Sequence, residues 1–159
     1  MWLKPWCVVL LLMLSENGYA REEILVNKAW LRESVPGQQS ASLQLNLTVT
    51  RPGNLIGVSS PFASEVQIQR QLPNRGKMNN SIVLKAPLSR NRTLVFGEHS
   101  YALMLIGLKR PLQVGDQIPV IITVEFSNKQ VRNVEAQAEV RALSLSYKHF
   151  SGLEVHDHR

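Results

Sequence analysis

The chain has 159 residues, a formal net charge of +6 and a single cysteine, Cys7. That length suits one domain with short accessories, and one cysteine excludes a disulfide framework within the chain. The excess of Lys and Arg points to anionic protein or lipid partners, with nucleic acid the least expected class for an exported protein.

In chain order, the first element is a leader. Lys4 precedes the apolar run Cys7–Leu14, and Ser15 to Ala20 closes with the small residues Gly18 and Ala20. This is the layout of a secretory signal peptide cut after Ala20. The apolar run is eight residues long, against about 20 needed to span a bilayer. No later segment is long enough either, so the expected product is soluble and exported. The leader removes Lys4 and Glu16, which leaves the net charge unchanged. Cys7 goes with it, and because it precedes the apolar run it is badly placed to become a lipid-bearing first residue.

Beyond the leader, hydrophobicity alternates with the strand period of two. Leu43, Leu45, Leu47 and Val49 share one face of the first clear strand. Val66 and Ile68 alternate with Glu65, Gln67 and Gln69, and Ile82 with Leu84 and Leu94 with Phe96 repeat the pattern. Tyr101–Leu108 reads as another strand, and Ile118, Val120, Ile122, Val124 and Phe126 form the clearest stripe. Val134, Ala136, Ala138 and Val140 follow as a strand, a segment that also reads as a short helix. Turn signals separate the runs at Pro36-Gly37, Pro52-Gly53-Asn54, Pro73 to Gly76, Gly115-Asp116 and Ser127 to Lys129. Seven or more short strands at this spacing predict an all-β antiparallel sandwich or barrel. The expected organisation is a leader at 1–20, one domain at 21–146 and a polar, His-containing tail at 147–159.

Three segments carry a family resemblance: "AWLRESVPGQQSASLQLNLTV" (29–49), "VSSPFASEVQIQ" (58–69) and "YALMLIGLKRPLQVGDQIPVIITVEF" (101–126). Together they resemble the periplasmic copper chaperones called PCu(A)C, over about residues 24–140. The resemblance implies a cupredoxin-like β-sandwich and periplasmic localisation. It also implies delivery of Cu(I) to a copper-accepting periplasmic or membrane protein, such as a respiratory oxidase. That family holds copper with two His and two Met, the last pair as His-x-Met on the strand before Gly-Leu-Lys. On this chain the first His position falls on Gln69, the first Met near Asn80 or Ser81, the second His on Ala102 and the second Met on Met104. Three of the four ligands are absent.

Cu(I) favours thioether and imidazole donors, and one thioether alone makes a poor site. Met104 therefore reads either as a packing residue or as part of a displaced site. In the displaced site Met78 and His99, both placed in loops, would converge on Met104; the bland alternative makes Met78 a loop cap and His99 a solvated turn residue. In the tail, His149, His156 and His158 with Asp157 suit Cu(II), Ni(II) or Zn(II) better than Cu(I), or form an unstructured polar end.

From Arg70 to Arg92 there are six cations, Arg70, Arg75, Lys77, Lys85, Arg90 and Arg92, and no acidic residue. Unopposed positive charge there disfavours a bare cation and suits an anionic partner; the alternative is an ordinary solvated basic surface. No nucleophile elbow, phosphate-cradling loop or zinc helix is present, and the expectation is a binding protein, not an enzyme.

Overall fold

The structure is a computed structural model that describes residues 23–97 and 100–143; the expected leader and tail lie outside these residues. Ten strands follow one another: β1 (Ile24–Arg32), β2 (Ser40–Val49), β3 (Gly53–Ser59), β4 (Ala63–Asn74), β5 (Lys77–Val83), β6 (Ala86–Leu88), β7 (Thr93–Phe96), β8 (Tyr101–Leu108), β9 (Gln117–Phe126) and β10 (Val131–Arg141). No helix occurs among the described residues. The 131–141 segment is a strand, hydrogen-bonded along β9 from Val131↔Glu125 to Glu139↔Gln117. Its helix reading fails because the small residue Ala138 and Val140 are needed on one inward face.

All ten strands belong to one sheet in the order β5-β4-β8-β7-β2-β1-β10-β9-β3-β6, with β8 also pairing β2. The sheet folds over a single core: Leu103, Leu105 and Ile68 from one half join Ile118, Val120, Ile122 and Val124 from the other. The pairing is antiparallel except for β1–β10 and the short β7–β8 contact, which are parallel. The two free edges, β5 and β6, are joined by the two-residue link Leu84-Lys85.

The alternating stripes decide which face turns inward. Leu43, Leu45, Leu47 and Val49 of β2 are buried, as are the five apolar residues of the β9 stripe. Gly107 sits where β8 bulges. It has φ +67, its N–H and that of Leu108 both donate to the Gln39 carbonyl, and a Cβ there would lie 2.6 Å from Ser64 Oγ. Only glycine meets both demands without strain. Asp116 shapes its turn, as its position after Gly115 suggested: Oδ2 accepts from Gln113 N–H at 3.1 Å and from Arg110 Nη1 at 3.0 Å.

The β4–β5 hairpin extends beyond this core. Arg75 (φ 46) and Gly76 (φ 79) are its two central turn residues, both in the left-handed region, which is the twist that suits a two-residue hairpin. β5 is exposed at every position except the half-buried Val83.

Candidate functional site

The positions singled out for copper meet on the outer face of β4, β5 and β8. Gln69 of β4 stands directly opposite Ala102 of β8, and Gln67 opposite Met104. On its other side Met104 pairs with Ser42 of β2. The inward-facing neighbours Ile68, Leu103 and Leu105 are buried in the core, so alternation puts Gln69, Ala102 and Met104 on the other face, where Ala102 is itself buried and Gln69 and Met104 are half-buried. Asn80 completes the group: its Nδ2 donates to Gln69 Oε1 at 3.3 Å. Ser81 pairs with Arg70 and belongs to the opposite face, so the equivalent position on β5 is Asn80.

These side chains form a polar ladder. Gln67 Nε2 donates to Glu65 Oε1 at 2.6 Å, Gln69 Nε2 to Gln67 Oε1 at 3.3 Å, and Asn80 to Gln69. The ladder was written in the alternation Glu65-x-Gln67-x-Gln69-x-Gln71, which marks one outward face of a strand. At its end Gln71 Oε1 is buried without a hydrogen-bond partner among the described residues, while Gln71 N–H donates to the Ser100 carbonyl at 2.9 Å.

As a copper site this donor set does not fit. Amide oxygens are hard donors and here they already accept hydrogen bonds, Ala102 offers nothing, and Met104 supplies one thioether. Among the described residues no group of three or more His, Cys, Asp or Glu is placed to hold a metal.

The displaced site does not assemble between its two methionines. Met78 lies in β5, not in a loop, and pairs with Pro73; Met104 pairs with Gln67. Six residues of β4 separate those partners, about 20 Å at the strand rise of ~3.3 Å. The tight Arg75-Gly76 turn fixes this register, so Met78 cannot swing in without unpairing the hairpin. His99, His149, His156 and His158 lie outside the described residues.

The basic residues divide by strand direction. β4 and β2 run the same way, so the hairpin tip with Arg75 and Lys77 lies at the Val49 end of the sheet. Arg90 bridges Val49 directly, and Arg92 precedes Thr93, which pairs with Thr48. Thus Arg75, Lys77, Arg90 and Arg92 share one end of the fold. Arg70 sits lower on β4, opposite Ser81, and Lys85 lies on the link between β5 and β6. All six are exposed, and none makes an ion pair among the described residues. Among the described residues the acids at that end are already engaged: Glu23 faces Arg51 at 2.9 Å and Arg132 at 3.8 Å, and Glu125 faces Lys129 at 3.5 Å.

Sequence reasoning did not find a half-open cavity of about 410 Å³ beside Ser42, lined by Trp30, Arg32, Glu33, Gln38 and Gln44 among others. Its wall carries both Arg32 and Glu33, so it selects no ion by sign. No motif or spacing signals it, because its lining comes from different strands and a loop.

Comparison with known proteins then places the chain. The LpqE-like family, described as a lipoprotein family, matches residues 24–138. Among solved structures, the copper-bound PCuAC domain from PmoF2 superposes with a TM-score of 0.61 at 21% identity, covering 79% of this chain and 97% of that one. The apo PCuAC domain from PmoF1 gives 0.59 at 19% identity, covering 79% and 98%. The Cu(I)-bound DR1885 from Deinococcus radiodurans gives 0.50 at 22% identity, covering 78% and 83%. At these identities the likeness establishes the fold, the cupredoxin-like sandwich that the sequence resemblance implied. No curated protein matches the chain.

Proposed function

The chain belongs to the LpqE-like family and has the PCuAC copper-chaperone fold, and from that premise we propose that it is an exported binding module in which copper presentation has given way to recognition of an anionic partner. The observation that carries this reading is the content of the four family-equivalent positions, which share one face of β4, β5 and β8. Gln69, Asn80, Ala102 and Met104 provide one soft donor in a face of hydrogen-bonded amides. At the neighbouring end of the sheet, Arg75, Lys77, Arg90 and Arg92 carry charge that no acidic side chain offsets among the described residues. The module acts by binding and not by catalysis, and nucleic acid is not its partner.

A Cu(I) titration against a competing chelator tests the first half. The parent protein is expected to show no tight one-to-one site in the sandwich. The triple change Gln69→His, Asn80→Met and Ala102→His, with Met104 kept, is expected to create one, because it restores two imidazoles and two thioethers at the positions that the family resemblance assigns to copper. Tight binding by the parent that disappears in Met104→Ala would overturn the reading. The second half is tested by retention on immobilised polyglutamate, expected for the parent and for Met104→Ala but lost when Arg75, Arg90 and Arg92 are all changed to Glu.

A second reading is favoured by the fold shared with copper-bound PCuAC domains and by the retained Met104. In it the chain carries copper through Met104 with His99 or the tail residues His149, His156 and His158, and passes it to a copper-accepting periplasmic or membrane protein. A chain ending at Tyr147 separates the possibilities: copper binding lost with the tail assigns it there, and binding kept by the shortened chain assigns it to the sandwich.

A further inference from the structure

We propose that the anionic partner is a lipid bilayer surface, and that the β4–β5 hairpin is the element that adsorbs to it. This rests on the anionic-partner reading above and names the partner's class. The hairpin combines cations that make no ion pair among the described residues with large apolar side chains that the fold leaves in water. Leu72 is 43% exposed, Met78 56%, Ile82 65% and Leu84 90%. Such a group of exposed aliphatic residues on one two-stranded arm marks a contact surface, whereas single exposed ones do not. From Val66 to Gly97 the chain has no acidic residue.

The arrangement distinguishes lipid from protein. Register places Arg70, Leu72 and Lys77 on one face of the arm and Met78, Asn80 and Ile82 on the other. A folded partner covers one face of a sheet or extends its free edge, and would leave the apolar side chains of the other face wet. A headgroup layer surrounds the arm and receives side chains from both faces. The outer edge of β5 still carries backbone groups that hydrocarbon could not satisfy, so the backbone stays at headgroup depth. Only Met78, Ile82, Leu84 and Leu72 reach toward the acyl boundary, as in other interfacial elements. Arg70, Arg75, Lys77 and Lys85 then lay their stems along that boundary and place their charges at the phosphates. Arg90 and Arg92, at the same end of the sheet as the hairpin tip, extend the contact. The matching family is described as lipoproteins, and a bilayer surface is the setting such a surface requires.

The test is sedimentation of the purified protein with phosphatidylcholine vesicles that contain or lack phosphatidylglycerol, with immobilised polyglutamate as the second probe. The parent is expected to sediment with the anionic vesicles at low salt. Changing Arg70, Arg75 and Lys77 to Gln is expected to weaken partitioning by about 100-fold, at roughly fivefold per surface cation. Changing Met78, Ile82 and Leu84 to Ser, with every charge kept, is expected to weaken it by at least about tenfold. All these side chains are exposed on an edge hairpin, and circular dichroism checks that each variant keeps its sheet. If a triple variant fails to fold, Ile82→Ser and Arg75→Gln alone carry the comparison. Vesicle binding as strong in the Met78/Ile82/Leu84 variant as in the parent would overturn the inference, since adsorption would then be charge alone. Polyglutamate retained with vesicles ignored would also overturn it, in favour of an acidic protein, while the anionic-partner reading survived. Neither probe bound would bring down both.

Discussion

β9 and β5 each carry an isoleucine on a period-two face, and the two side chains reach opposite ends of the burial scale. In β9, Ile118, Val120, Ile122 and Val124 are fully buried. In β5, the same residue type at Ile82 is 65% exposed, and Leu84 just beyond it 90%. The cause is placement and not composition. β9 lies between β10 and β3 and faces the opposite half of the sheet across the core, whereas β5 is an edge strand paired on one side only, by β4, and its turn end runs with β4 past the start of β8. A strand that closes a core is held by what faces it; a strand at an overhanging edge is held by its turn and by one ladder of hydrogen bonds.

Ile122→Ala is the largest expected effect and the direct test of that difference. Removing a fully buried isoleucine should lower unfolding stability by about 2–5 kcal/mol, read as a shift of the urea midpoint at unchanged slope. A loss below about 1 kcal/mol would mean that the β9 stripe is not the centre of the core.

Next in size is Gly107→Ala, which asks whether the β8 bulge is a fixed part of the half of the sheet that carries the hairpin. Alanine at φ +67 with its Cβ 2.6 Å from Ser64 Oγ should destabilise by about 1–3 kcal/mol. Adding Ser64→Gly relieves the contact but not the dihedral, so only part of the loss should return. Full recovery in the double variant would show that the contact alone was at stake.

Much of this was legible in the chain. The β2 and β9 stripes identified their buried faces, and Gly-Leu-Lys marked the strand on which Ala102 and Met104 sit, because alternation and a positive-φ glycine are local signals. The meeting of Gln69 with Asn80 was legible only as an interval of uncertain length, and the register of a two-residue turn resolved it. The separation of Met78 from Met104 was not legible, because it depends on how far β4 runs past β8. The exposure of Ile82 was hidden because a period of two says which residues share a face, and says nothing about whether another layer covers it. The common end shared by Arg75, Lys77, Arg90 and Arg92 needed strand directions, which a linear run of cations does not contain.

Asp116→Ala should have a smaller effect, about 1 kcal/mol, through the loss of the acceptor for Gln113 N–H. The Arg110–Asp116 ion pair adds little, since Arg110 is 47% exposed and such pairs contribute about 0–1 kcal/mol. Asp116→Asn keeps an acceptor oxygen and should recover most of the loss; failure to recover would shift the weight to the ion pair. This turn lies at the opposite end of the sheet from the hairpin tip, so vesicle and polyglutamate retention should not change in either variant.

Ile82→Ala closes the series with the smallest expected change, within about 0.5 kcal/mol of the parent. Its side chain is 65% exposed on an edge strand, so truncation removes little buried area and leaves the backbone ladder from Ile68↔Val83 to Asn74↔Lys77 intact. Set beside Ile122→Ala, it makes the two strands answer the same chemical question, the shortening of an isoleucine, in two environments. A loss near that of Ile122 would mean that β5 packs against something within the chain, and the hairpin would no longer be a free surface. A stability unchanged while anionic-vesicle retention falls would separate folding from binding at one residue. A large apolar side chain that the fold does not need, set among cations that no acid offsets among the described residues, is then accounted for by what lies outside the fold.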